Sequence, residues 1–183
     1  MAFHKITAIS TLVLRILTLL SSIACIVMLV TDQVKFGDGS KTTFKDVIAY
    51  RYVLSTAVVG VTYSLVQLPF ALYYAFKQKR LIRGELLPEF DFYGDKVVSL
   101  FLGTGVGAGF AVTFEFKDFL KDLFKTLADS GVVDAGELKS KLDKFLDRGN
   151  IATGLLFVAF ICMALLSVLS SINKRTTTTG IFG

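Results

Sequence analysis

The sequence predicts an all-α membrane protein: a four-transmembrane-helix bundle with an amphipathic helical loop outside the membrane. Two observations carry this. Hydrophobic residues make up 53% of the 183-residue chain, above the roughly 45–50% of soluble domains. They are also clustered. Ile6 to Val30 holds 25 residues with one charge, Tyr52 to Phe76 holds 25 with none, Val97 to Phe114 holds 18 with none, and Ile151 to Ile172 holds 22 with none. About 20 mostly apolar residues cross the hydrocarbon core as a helix.

With their polar flanks the spans fall at about 6–30, 48–76, 93–114 and 149–172, in a single membrane domain. Span 1 is longer than a signal-peptide core and ends in Thr31-Asp32-Gln33, which reads as a retained anchor. Span 2 contains Pro69, which is expected to kink it. Span 3 begins at "DFYGDK" and runs through the glycine-rich "GTGVGAGFA". Loop 3, about 115–148, repeats Phe116, Phe119, Leu120, Leu123, Phe124 and Leu127 at three- and four-residue spacing, with Lys117, Asp118, Lys121, Asp122 and Lys125 between them. That is an amphipathic helix. A second short helix carries Leu138, Leu142, Phe145 and Leu146, with Asp134 and Glu137 spaced as in a capping box. Loop 3 is therefore expected to form a helical hairpin, lying on the bilayer or offering Phe116, Phe119, Leu120, Leu123, Phe124 and Leu127 as a docking face.

Charge sets the orientation. Lys77, Lys79, Arg80 and Arg83 crowd short loop 2, Lys5 precedes span 1, and Lys174 and Arg175 follow span 4. Loop 3 holds seven basic residues, but eight acids interleave with them. The positive-inside rule is strongest near span ends, so the termini and loop 2 are placed in the cytoplasm. The net charge of +5 reflects these loops and does not point to nucleic acid.

One residue breaks the apolar pattern of span 1: Arg15, inside "TLVLRILTLL". A guanidinium stays charged at any cellular pH, and a charge at mid-membrane costs about 2.5–3.5 kcal/mol on insertion scales. It therefore needs a partner. Spans 1 and 3 run in the same direction, and Asp95 at the start of span 3 is the acid nearest in depth. Helical side chains tilt toward their own N-terminus, which brings Arg15 toward Asp95. The pair reads as a register lock between spans, with a gating or ion-path role, or contact with lipid phosphate, as the other readings.

"GTGVGAGFA" fails as a nucleotide loop, because Ala108 and Phe110 stand where a G-x-G-x-x-G pattern needs glycine. Gly103, Gly107 and Ala111 instead fall four apart, with Gly105 and Gly109 on a neighbouring ridge. This small-xxx-small spacing lets helices approach closely in lipid. Cys25 and Cys162 read as buried free thiols. His4 is the single histidine, which argues against a His-based metal site or a Ser-His-Asp triad. No catalytic residue, cofactor or metal is expected.

Together, Arg15 in span 1, "DVIAYRY" (Asp46–Tyr52), "DFYGDK" (Asp91–Lys96) and "FICMALLSVLSS" (Phe160–Ser171) resemble the Casparian strip membrane domain protein-like (CASP-like) family of plants. Spans 2 and 3 are most similar to its 4D branch. The family is similar in topology to the MARVEL four-helix membrane proteins. The resemblance implies a plasma-membrane protein with cytoplasmic termini. It also implies homo- or hetero-oligomers with family members, and membrane or wall-modifying protein partners. The expected function is a non-enzymatic scaffold or accessory subunit. A small channel or transporter is the second expectation; Arg15, Asp95, Gln67 and scattered hydroxyls make a thin lining for one.

Overall fold

The computed structural model describes residues 2–35, 41–77, 86–129 and 135–179. The long helices are α1 (Ala2–Thr31), α2 (Ile48–Lys77), α3 (Leu86–Asp129) and α4 (Ala135–Thr179). Each contains a stretch long and apolar enough to cross a membrane, giving four such spans. The adjacent helix faces are α1 with α2, α2 with α3, α3 with α4 and α4 with α1. The helices thus form a ring in which α1 and α3 look at each other across the interior.

The distribution of residues is inverted relative to a water-soluble bundle. The outward faces are apolar: Ile9, Val13, Ile16, Leu20, Ile23 and Val27 on α1 are all exposed. The interior holds Arg15, Thr18, Ser22, Thr56, Ser64, Gln67, Asp95, Thr113 and Thr153, all buried. Lipid solvates apolar side chains as well as a protein core does, so packing and interhelical polar contacts take over from hydrophobic burial. The sides of these helices face lipid. The fold is an all-α four-helix membrane bundle.

The structure adds two details to the sequence reading and changes a third. Loop 1, between spans 1 and 2, has structure of its own. It carries a short antiparallel ribbon, β1 (Gln33–Lys35) with β2 (Lys41–Thr43), in which Val34 pairs with Thr42. A 3₁₀ turn at Phe44–Asp46 follows, whose Asp46 carboxylate accepts from the Thr43 N–H at 2.8 Å. α2 continues through Pro69 to Lys77, with Pro69 on the exposed face. Finally, the hairpin of loop 3 is not a separate pair of helices. Its arms are unbroken continuations of α3 and α4, which span 44 and 45 residues. At about 1.5 Å per residue each helix is roughly 66 Å long, about twice the hydrocarbon thickness of ~30 Å. No glycine or proline interrupts the run from Phe110 to Asp129, so nothing stops the helix at the membrane boundary.

The arms are held to each other. Leu120 and Phe124 are buried in one cluster with Phe145 and Leu146, and Lys117 Nζ meets Asp147 Oδ1 at 2.5 Å. Phe116, Phe119 and Leu123 remain exposed. The expected single amphipathic face therefore divides: its Leu120–Phe124 edge packs on α4, and its Phe116–Phe119 edge faces outward. The Asp134 cap and the bases Lys79, Arg80 and Arg83 lie outside the described residues, as do the side chains of Lys77, Leu127 and Leu138. Phe119 is 60% exposed, so Phe119→Ser is expected to shift unfolding by no more than about 0.5 kcal/mol. Thermal melting of the purified protein in detergent checks this.

Candidate functional site: a polar centre shared by four helices

The interior polar residues gather at two levels. Around Arg15 all four helices contribute. Arg15 Nη2 lies 3.4 Å from Asp95 Oδ1 and 3.6 Å from Asp91 Oδ1. Arg15 and Asp95 are 3% and 1% exposed, while Asp91 is 30% exposed. Thus the guanidinium bridges two carboxylates of different burial, one inside the bundle and one at its edge. Because α1 and α3 are diagonal in the ring, the long arginine side chain crosses the interior to make this connection.

α2 completes the arrangement. The Tyr63 hydroxyl donates to Asp95 Oδ1 at 2.8 Å, and Gln67 Nε2 donates to the Tyr63 oxygen at 3.3 Å. The Arg15 guanidinium carbon stands 5.8 Å from the Tyr63 ring centroid, within cation–π range. From α4, the Ser170 hydroxyl lies within reach of the Asp95 carboxylate. A buried ion pair is tolerated when extra hydrogen bonds satisfy its remaining atoms, and Tyr63 serves Asp95 in that way.

The "DFYGDK" stretch now has a physical reason. Asp91 and Asp95 are four apart, so both project from one helix face. Like charges at that spacing repel, and Arg15 between them offsets the repulsion. Gly94 makes room for Tyr63: a Cβ at position 94 would stand 2.6 Å from the Tyr63 oxygen. Sequence reasoning identified Arg15 and Asp95 but missed Asp91, Tyr63 and Gly94. The four-residue spacing of the aspartates was the available signal for Asp91.

The second level lies toward loops 1 and 3. The Tyr50 hydroxyl meets Thr113 Oγ1 at 3.0 Å, and Tyr50 rests edge-on against Phe145 with ring centroids 5.9 Å apart. Gly149 allows this, since a Cβ there would be 2.5 Å from Tyr50 Cζ. At the α1–β1 junction buried Asp32 pairs with Arg148 of α4 at 3.4 Å. Burial pushes the Asp32 carboxyl above its ordinary value, and Arg148 pulls it partly back. A raised carboxyl value means that the folded chain holds this proton more tightly than the unfolded one. The group's contribution to stability therefore grows as pH falls and fades as pH rises through the raised value.

The glycine run divides by face. Gly105 and Gly109 point inward. A Cβ at 105 would stand 2.9 Å from Thr56 Cβ, and one at 109 would stand 2.5 Å from Thr153 Oγ1. Gly103 abuts the Phe160 ring, at 3.1 Å from such a Cβ. Gly107 has nothing within 4 Å, and both Gly107 and Ala111 are exposed. The intimate contacts are thus made by Gly105 and Gly109; the Gly103–Gly107–Ala111 ridge turns outward beyond Gly103. Cys25 and Cys162 are both free and buried. Among the described residues no group of three or more His, Cys, Asp or Glu side chains is placed to hold a metal.

These features define a multi-pass membrane protein whose four helices are tied together through one intramembrane ionic centre. The family model described as the Casparian strip membrane protein domain matches residues 4–122, and the chain belongs to that family. Its relatives include CASP-like protein 4D1 of Ricinus communis, 40% identical over 163 residues and covering 87% of this chain and 88% of the relative. CASP-like protein 4D2 of Arabidopsis thaliana is 42% identical over 164 residues, covering 87% and 86%. CASP-like protein 4D1 of Glycine max is 32% identical over 161 residues, covering 87% and 83%. No solved structure matches the chain. The matched region ends inside the α3 arm, so it includes Arg15, Tyr63, Asp91 and Asp95 and leaves α4 outside.

Proposed function

We propose that this protein is a non-enzymatic scaffold or accessory subunit of the plasma membrane, with cytoplasmic termini. In this reading it assembles with copies of itself or with family members and organises partner proteins in a membrane domain, for local modification of the cell wall. The observation that carries the reading is where the interior polar groups spend their hydrogen bonds. Asp95 is engaged by Arg15 of α1 and Tyr63 of α2. Thr18, Thr113 and Thr153 return their hydroxyls to carbonyls one turn back on their own helices. The contacts to Asp95 fasten helices together, and the self-bonded threonines leave few free hydroxyls to line a passage for a solute. The family description, which names a membrane protein of the Casparian strip, is consistent with a role tied to the cell wall.

The test is single-molecule photobleaching of the full chain, fluorescently tagged and expressed at native level in plant membranes. Multistep bleaching is expected. Uniform single-step spots would overturn the assembly reading. Conduction by the purified protein in planar bilayers, lost in Asp95→Asn, would replace it with a channel.

A further inference from the structure

Antiparallel α1 and α2 approach closely at one fixed point: Ser22 Oγ would lie 3.2 Å from a Cβ on Gly60. Moving down α1 means moving up α2, so counting in steps of three and four residues from that contact sets Thr18 opposite Ser64 and Arg15 opposite Gln67, and the long Arg15 side chain reaches along the seam to the Tyr63 ring. The paired residues of these three levels are all buried. Toward loop 1 the next levels are Cys25 with Ala57 and Leu29 with Val53, again buried, and purely hydrophobic in character.

The polar levels contain three side-chain atoms with no hydrogen-bond partner: Arg15 Nη1, Ser64 Oγ and Ser22 Oγ. Their residues are 3%, 1% and 0% exposed. Each hydroxyl had the option that Thr18 takes at 2.9 Å, donation to a carbonyl one turn back, and neither takes it. A buried polar atom without a partner is costly, and three on one seam is not a random scatter. Arg15 to Ser22 is seven residues, or about 10 Å along the helix axis.

We infer that the α1–α2 seam holds internal water, in a blind inlet that runs from the Arg15 centre to Ser22 and stops at Leu102. Water suits the groups present. It accepts from Arg15 Nη1, and it both accepts from and donates to the serine hydroxyls; two to four such partners are what a buried water requires. An anion does not suit them, because Asp91 and Asp95 against one Arg15 already leave the centre with net negative charge. The inlet has a floor. Leu102 is fully buried and stands 3.1 Å from the position of a Gly60 Cβ, and Cys25 and Ala57 follow at the next level. Its mouth is at Asp91, the exposed member of the ionic centre. The charged and titratable groups facing it are Arg15 from α1, Tyr63 from α2, and Asp91 and Asp95 from α3; α4 presents Ser170.

Water-edited solid-state NMR of the full chain in lipid vesicles tests this. Transfer of magnetisation from water to Arg15, Ser64 and Ser22 is expected to be severalfold faster than to Thr56 and Thr153. Those controls are also buried hydroxyls, but they bond to their own helices beyond the Leu102 level. Ser64→Ala should slow transfer at Ser22 while the Tyr63 and Asp95 signals keep their positions. Equal slow transfer at all five sites in the wild-type protein would show a dry seam and overturn the inference. Equal fast transfer at all five would show a continuous path, and would overturn the blind end. Because neither result requires a variant to fold, a misfolded Ser64→Ala leaves the test intact.

Discussion

Arg15→Ala is expected to destabilise the bundle by about 3–5 kcal/mol, the cost of breaking a buried ion pair and leaving its partner charge uncompensated. Asp95→Ala should cost about as much, since Arg15 is then left with only edge-exposed Asp91. Asp91→Asn should cost clearly less: Asp91 is farther from the guanidinium, at 3.6 Å, and its side chain is 30% exposed. The charge swap Arg15→Asp with Asp95→Arg should recover part of the loss. The recovery will be incomplete, because Tyr63 donates to a carboxylate on α3 and has no such acceptor once an arginine stands there. Fluorescence-detected size-exclusion melting of each variant in detergent provides the ranking. Equal melting of wild type, Arg15→Ala and Asp95→Ala would refute a pairing that stabilises the fold.

The second large effect belongs to the glycine run. Gly105→Ala places a methyl 2.9 Å from Thr56 Cβ, a branch point that cannot rotate away. Overpacking of this kind costs about 1–3 kcal/mol, and Gly105→Leu should prevent the bundle from assembling. Combining Gly105→Ala with Thr56→Gly removes the colliding atom and should restore much of the melting temperature. Gly107→Ala, two positions along, meets nothing within 4 Å and replaces a poor helix former with a good one, worth up to about 1 kcal/mol. It should be neutral or stabilising. Opposite responses at positions 105 and 107 are the signature of the observed helix rotation. Equal responses would mean that α3 is turned differently.

That rotation marks the limit of what the amino-acid order disclosed. The four spans were readable because length and apolarity alone define them. Arg15 was readable because a permanent cation stands out in an apolar run, and Asp95 because its depth matched. Asp91 was missed, since the depth of a residue at the beginning of a helix that outruns the membrane cannot be located from hydropathy. Tyr63 was invisible for a different reason: a tyrosine in a span looks the same whether it faces lipid, core or a carboxylate. The glycines at four-residue spacing form two ridges of equal merit. In water an apolar stripe would have chosen between them, but here α3 is apolar on both its lipid-facing and its packed sides. The ribbon in loop 1 rests on strands of three residues each, too short to show an alternating pattern.

The unbroken length of α3 has a mechanical consequence. One unbroken helix of 44 residues carries Asp91 and Asp95 near one end and Leu120 and Phe124 near the other, with Gly103, Gly105, Gly107 and Gly109 between them. A lateral push or twist on the protruding tip therefore reaches the carboxylates, some 40 Å away at about 1.5 Å per residue, through the glycine run, whose close contacts with Thr56 and Thr153 hold it in place. Whatever binds the projecting arms takes hold of a handle on the centre of the bundle.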